Sequence, residues 1–326
     1  MTALGNIGVA SGVLRDARIT VGSSEALDAM ARVVDGATTS VSAELFQLRD
    51  APVVAAFRSA ADRMPVRLLV DSEVFEDGGY KLPKTGLLEL SEHGADPHKL
   101  HTKAIVADGS VGYVGTAAPV GGLRGPGKLD YAAELGPTEA RVLERAIEAV
   151  ANGDTTQVRA TAEAAARVGL YYNDPKHGVT LLRDRIESLI TGAEHSIVAS
   201  SKILGDTRSV ELLAAAKARG VDVLLITTPK STKQSVKQAR KAGIETVVHE
   251  EKAGYAHGNF LLADANQAYM GTAMLSRRGM ARPEAARAAR ELGWVTEDRG
   301  AISTAADRLS ALAGVDLHER FQIPRG

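Results

Sequence analysis

Cysteine is absent from the 326-residue chain, which excludes disulfides, thiolate zinc sites and a cysteine nucleophile. Aromatic residues are scarce, at 4%, and this argues against a surface of stacking rings for single-stranded nucleic acid. No uninterrupted apolar run reaches the roughly 18 residues that a membrane helix needs, so stable membrane insertion is not expected. The opening stretch MTALGNIGVASGVLRD lacks a basic n-region, and Gly5, Gly8 and Gly12 interrupt its apolar residues. It does not read as a signal peptide, and a cytoplasmic location is the simplest expectation. Net charge is missing too: 39 basic against 40 acidic residues leave −1. Strong steering of the whole molecule toward nucleic acid or an anionic membrane is therefore not expected, and any such affinity must come from a local patch. What remains, 44% apolar and 24% charged, fits a globular protein long enough for two ordinary domains.

The informative feature is an internal repeat. HTKAIVADGSVGYVGTA at 101–117 returns as HGNFLLADANQAYMGTA at 257–273. Upstream, DGATTSVSAE at 35–44 lies over TGAEHSIVAS at 191–200, and MPVRLLVD at 64–71 over GVDVLLIT at 220–227, in the same register. Downstream, Glu134-Leu135-Gly136 meets Glu291-Leu292-Gly293 if the register slips by one. Landmarks matched over about 100 residues indicate duplication, the first thing to seek in any chain.

Each copy has the same coarse pattern. Helices are expected at 24–35 and 181–192, strands at 39–47 and 195–201, and second helices at 51–63 and 207–219. The compact runs VRLLVD and VDVLLIT read as buried strands, and KAIVAD-turn-GYVGT as strand, turn, strand. The fold class is therefore α/β: two similar units, each a β-sheet flanked by helices, related by a pseudo-twofold with one active site between them. The units are set at residues 1–160 and 161–326, with the junction in the stretch 155–178.

His101 and Lys103 stand two apart on a strand and so share one face, as do His257 and Asn259. A pseudo-twofold can gather two imidazoles, an ammonium and an amide around a tetrahedral anion. One imidazole can attack phosphorus, the other can protonate the leaving oxygen, and Lys103 and Asn259 can bind nonbridging oxygens, with no metal or other cofactor required.

The pattern His101-x-Lys103-x(4)-Asp108 with Gly115-Thr116, repeated as His257-x-Asn259-x(4)-Asp264 with Gly271-Thr272, resembles the duplicated motif of the phospholipase D superfamily. The resemblance spans nearly the whole chain. It implies a metal-independent phosphodiesterase or phosphoryl (phosphatidyl-type) transferase working through a phosphohistidine. By resemblance, His101 is the nucleophile, His257 the general acid and base, and Lys103 the phosphoryl-binding cation. Glu134 and Glu291 are expected to orient the imidazoles. Asp108 and Asp264, with Thr116 and Thr272, are expected in the motif framework. The chain departs from the pattern at Asn259, which lacks the lysine charge, and at Ala118 and Met274, where the family commonly has Asn. Asn259 is then either a tuned departure or a sign of decay; Asn259→Lys is expected to abolish turnover.

The other six histidines, His93, His98, His177, His195, His249 and His318, read as ordinary structural or surface residues. Lys230, Lys233, Lys237, Arg240 and Lys241 fall at helical spacing with no acid between them, a solvated face or a phosphate-binding rim. Arg277, Arg278, Arg282, Arg287 and Arg290 precede Glu291 and could line the mouth for an anionic substrate. Glu44 and Phe46 are expected at a strand end, facing the cleft or packed beneath it. A phosphodiester of a lipid or small molecule is the favoured substrate. A nuclease-like activity and a catalytically impaired, binding-only site are the alternatives. Oligomeric state is not legible.

Overall fold

The computed structural model describes residues 12–81, 87–93, 99–120, 124–125, 128–250, 255–282, 285 and 288–326. The first unit runs β1 (Ala17–Val21), α1 (Ser23–Asp35), β2 (Val41–Leu45), α2 (Ala51–Ala61), β3 (Val66–Asp71), α3 (Ser72–Glu76), β4 (Leu88–His93), β5 (Lys99–Leu100), β6 (Lys103–Ala107), β7 (Val111–Gly115), β8 (Lys128–Leu129) and β9 (Tyr131–Leu135). Two helices follow, α4 (Pro137–Ala151) and α5 (Thr155–Arg167); α5 spans the 160/161 position at which the sequence divides the halves. The second unit runs β10 (Leu170–Asn173), α6 (Leu181–Gly192), β11 (Ser196–Ser201), α7 (Thr207–Ala218), β12 (Asp222–Thr227), α8 (Lys233–Lys241), β13 (Glu245–Val248), β14 (Tyr255–Ala256), β15 (Asn259–Ala263), β16 (Gln267–Gly271), β17 (Ala289–Thr296), α9 (Arg299–Ala313) and α10 (Leu317–Phe321).

The expected helices and strands of the repeat are all present. Their starts are set by local chemistry. Asp50 and Asp206, equivalent positions of the repeat, cap α2 and α7 by accepting the backbone N–H of Val53 and Ser209, the usual role of an aspartate before a helix. Each cap is in turn held by an arginine from the loop after its motif, Arg124 on Asp50 and Arg282 on Asp206.

The sheets repeat one another. The first has the order β1-β9-β7-β6-β2-β3-β4, and the main path of the second is β10-β17-β16-β15-β11-β12-β13, the same order with each strand replaced by its counterpart. β2 and β3 are parallel, as are β11 and β12, while the motif strands run antiparallel to β2 and β11. Leu27 and Met30 of α1 and Phe57 of α2 cover one face of the first sheet. Ile186 of α6 and Leu213 of α7 do so for the second. The opposite faces share one apolar interior, where Leu143 of α4 and Ile302 of α9 lie among Val106, Val114, Val198 and Ile226. No helix among the described residues is long and apolar enough to cross a membrane.

The units exchange short strands. β5, the dipeptide before His101, pairs in parallel with Ala289 and Arg290 of β17. β14, the dipeptide before His257, pairs in parallel with Lys128 and Leu129 of β8. Each motif histidine is thus delivered to the edge of the opposite unit.

Candidate active site

The repeated letters of the motif are explained first by packing. Tyr113 and Tyr269 fold back over the glycine two positions on; a Cβ on Gly115 would lie 2.1 Å from the Tyr113 hydroxyl, and one on Gly271 would lie 2.7 Å from that of Tyr269. Only glycine fits beneath the ring. Asp108 and Asp264 sit at the following turns with φ of 54° and 50°, a left-handed conformation that aspartate tolerates better than most residues. Asp108 accepts from the backbone of Thr38, Thr39 and Ser40, and Asp264 from Glu194, His195 and Ser196. Burial alone would raise the Asp108 carboxyl, but these donors outweigh it and hold it well below the usual carboxylate range. Both aspartates therefore tie the motif hairpin to the start of β2 or β11, away from the histidines.

The histidines meet across the unit boundary. The His101 backbone N–H donates to Arg290 O at 2.9 Å, and that of His257 to Leu129 O at 2.9 Å. His101 Nδ1 lies 2.8 Å from Glu291 Oε2, and His257 Nδ1 lies 2.8 Å from Asp130 Oδ1. Both carboxylates are buried. Each imidazole is thus oriented by an acid from the other half. Asp130 also accepts from the Ser23 hydroxyl at 2.7 Å and from the Thr116 hydroxyl at 2.6 Å. Burial pushes the Asp130 carboxyl up, but His257 and these donors prevail, and its pKa is lowered. Glu291 differs: its Oε1 is buried with no hydrogen-bond partner among the described residues.

Glu134 does not take the expected position. The ladders fix the correspondence, because Gly115 pairs with Ala132 and Gly271 with Gly293. In that register Ala132, not Gly136, is the counterpart of Gly293. Asp130 is then the counterpart of Glu291, and Glu134, opposite Tyr113, is the counterpart of Val295, opposite Tyr269. Glu134 pairs with Arg32 of α1 at 2.9 Å on the outside of the sheet. The repeated Glu-Leu-Gly letters are a coincidence of register.

Lys103 is fully buried, and its Nζ donates to His101 O at 2.6 Å. Desolvation lowers its pKa to about 8, against the pull of Glu291 and Asp130. Burial also lowers the pKa of His101, with Glu291 opposing and Lys103 adding to the effect. Asn259 spends its amide on the framework: Nδ2 donates to Thr272 O at 3.1 Å and Gly271 O at 3.3 Å, and Oδ1 accepts from Ser201. Gly258, where the first copy has Thr102, is required by a close approach. A Cβ there would lie 2.6 Å from Thr116 Oγ1 and from the Tyr131 ring.

A cavity of about 80 Å³ is lined by His101, His257, Asn259, Thr116, Thr272 and Lys202. A second, of about 120 Å³, also touches His101 and is lined by Phe46, Arg278, Met274 and Glu291. Phe46 meets the His101 ring edge-on, with centroids 5.3 Å apart. Glu44 instead lies sealed beneath, fully buried between the Thr102 hydroxyl and the Arg290 guanidinium, so it cannot reach a substrate.

The arginine group is divided. Arg278 lines the mouth, Arg277 is exposed beside it, Arg282 clamps Asp206 and Glu187, and Arg287 lies outside the described residues. Arg290 is buried on Glu44 and Asp174 with its guanidinium over Tyr172. Lys233, Lys237 and Arg240 are exposed on α8. The sequence reading missed Asp130 and Lys202. Asp130 follows its motif glycine, Gly115, more closely than Glu291 follows Gly271, so spacing gave no signal. Lys202 stands far upstream of the second motif, at the end of another strand.

The duplicated α/β unit thus brings two carboxylate-oriented imidazoles to one cavity. Residues 186–312 match the family described as cardiolipin synthase, PLD-like domain, a stretch that holds the second motif. The fold is shared with phosphatidylserine synthase of Haemophilus influenzae Rd KW20, with a TM-score of 0.65 at 12% identity over 92% of this chain and 88% of that one. Yeast tyrosyl-DNA phosphodiesterase gives 0.54 at 12% identity over 86% and 89%. Polyphosphate kinase of Porphyromonas gingivalis gives 0.58 at 13% identity over 87% of this chain. The chain spans about half of that kinase, 48%. No curated protein matches the chain by sequence.

Proposed function

We propose that this chain is a phosphodiesterase or phosphoryl transferase that works by double displacement through a phosphohistidine, without a metal. The observation that carries the reading is the pair of imidazoles at one cavity, each hydrogen-bonded at Nδ1 to a buried carboxylate of the opposite unit. With its Nδ1–H donated to Glu291, His101 presents its lone pair on Nε2. Desolvation keeps it neutral, which suits a nucleophile. His257 is held at Nδ1 by the ionised Asp130 carboxylate, an arrangement that suits a general acid.

In the first step His101 Nε2 bonds to phosphorus, the bond to the leaving oxygen breaks, and that oxygen takes a proton from His257. In the second, His257 takes a proton from water or an alcohol, the new oxygen bonds to phosphorus, and the P–N pair returns to His101. Lys103 stabilises the charge that gathers on the nonbridging oxygens.

The small cavities that share His101 favour a diester of a small molecule or a lipid headgroup. The shared fold with a phosphatidylserine synthase is compatible with that class, and the fold of a tyrosyl-DNA phosphodiesterase keeps nucleic acid as the other outcome. The test is intact-protein mass after quenching with an activated phosphodiester in EDTA. Wild type should form a phosphoryl adduct, His101→Ala none, and His257→Ala an adduct that accumulates, because an activated leaving group needs no acid but hydrolysis still needs the base. An adduct in His101→Ala would move the nucleophile to His257. No adduct and no product in any form would leave a binding protein.

A further inference from the structure

The second motif lacks its lysine, and Asn259 does not replace it. Both hydrogen bonds from its Nδ2 go to main-chain carbonyls, and its Oδ1 accepts from Ser201. Met274 adds no polar group to the cavity wall. Yet a cation reaches this cavity from another strand. Lys202 directly follows β11, at the place that Phe46 holds after β2 in the first copy. Phe46 packs on His101; its counterpart Lys202 lines the cavity together with His101, His257 and Asn259. The Lys202 main chain is fixed, because its carbonyl accepts from the Thr228 hydroxyl at 2.8 Å.

We propose that Lys202 is a phosphoryl-binding residue of this site, supplying from the end of β11 the second positive charge that the motif position 259 has lost. This rests on the double-displacement reading of the site. Burial is the main cause of the lowered Lys103 pKa, and the positive charge of Lys202 adds to it. Two like charges repel while the site is empty and are relieved when a multiply charged oxyanion enters. The site should therefore prefer a dianion to a monoanion, the preference expected of a site that stabilises a phosphoryl-transfer transition state.

The test is tungstate binding by calorimetry to the full chain at pH 7, beside diester turnover, for wild type, Lys202→Met, Lys202→Arg and Lys103→Met. Lys202→Met should weaken tungstate at least tenfold and lower kcat/KM by as much or more. Lys202→Arg should stay within about threefold of wild type, and thermal melts should show the variants folded. Equal tungstate affinity in wild type and Lys202→Met, with Lys103→Met weakened, overturns the role of Lys202 and leaves the catalytic reading standing. Tungstate binding that depends on Lys202, with no turnover of any diester, keeps the anion site and removes the catalytic reading. No tungstate binding by wild type removes both.

Discussion

Lys103→Met should make the protein more stable while removing its activity. Lys103 is fully buried, and desolvation lowers its pKa from 10.5 to about 8. At 1.36 kcal/mol per pKa unit, holding the charge inside the fold costs about 3 kcal/mol at pH 7. Methionine keeps the apolar stem and drops the charge. It also loses the bond from Nζ to His101 O, which offsets about 1 kcal/mol. The net gain is about 2 kcal/mol, or roughly 4 °C in melting temperature for a chain of this size.

The pH dependence carries the sharper test. Below pH 8 the lysine is charged in both folded and unfolded chains, and the penalty is complete. Between about 8 and 10.5 the folded chain releases a proton that the unfolded chain still holds, so wild-type stability rises relative to the variant. The gap should be full at pH 7 and nearly closed at pH 10, read from paired melts in which other titrations cancel. A variant less stable than wild type at pH 7, or a gap of equal size at both pH values, would refute the reasoning.

Asp130→Asn should lower kcat/KM by about 10³-fold or more, the scale of losing a carboxylate that fixes a catalytic histidine's tautomer, while Glu134→Gln stays within about twofold; steady-state assays of both variants decide which acid orients His257. The kcat/KM profile should fall above pH 8 as Lys103 loses its proton, and its acid limb should lie below the ordinary histidine range because His101 is desolvated; Lys103→Arg should extend the alkaline plateau. Arg290→Ala leaves Glu44 and Asp174 buried without their shared cation and should cost about 3–5 kcal/mol in denaturant unfolding; a loss under about 1 kcal/mol would show that the network contributes little. Asn259→Lys breaks three hydrogen bonds and adds a cation beside Lys103 and Lys202, so turnover should fall, and a gain in an activity assay would identify the natural site as a weakened one.

Repetition in the sequence marked the framework more faithfully than the chemistry. Tyr113 over Gly115, Tyr269 over Gly271, and the left-handed turns at Asp108 and Asp264 solve the same steric problem in each half, so the letters match. The histidines were legible because they sit inside that framework. The acids that orient them were not, because each comes from the opposite unit, Glu291 on β17 and Asp130 between β8 and β9, and the loops after the two motifs differ in length. Asp130 and Glu291 do the same work without sharing a residue type or a spacing, whereas Glu134 shares the residue type and, to within one residue, the spacing of Glu291 and faces outward. Arg282 and Arg290 read as mouth cations by their position before Glu291. Only the packing shows that one ties a helix cap and the other stitches the two sheets through Glu44.

A single site made from two like halves uses each chemical position once, and this relaxes the symmetry that packing enforces. Four paired positions around the two histidines differ: Lys103 and Asn259, Phe46 and Lys202, Thr102 and Gly258, Glu291 and Asp130. The differences are not scattered at random. One histidine gains a buried ammonium and an aromatic edge, beside a carboxylate with an oxygen left unpaired. The other gains a carboxylate anchored by two hydroxyls. The first imidazole is desolvated and the second rests on an anchored, ionised carboxylate, an asymmetry that matches the proposed roles of nucleophile and acid. On this reasoning Asn259 is part of the division of labour, because a lysine there would place a second buried ammonium beside the histidine proposed as the acid. Decay would have to account for why the charge lost at 259 returns at 202.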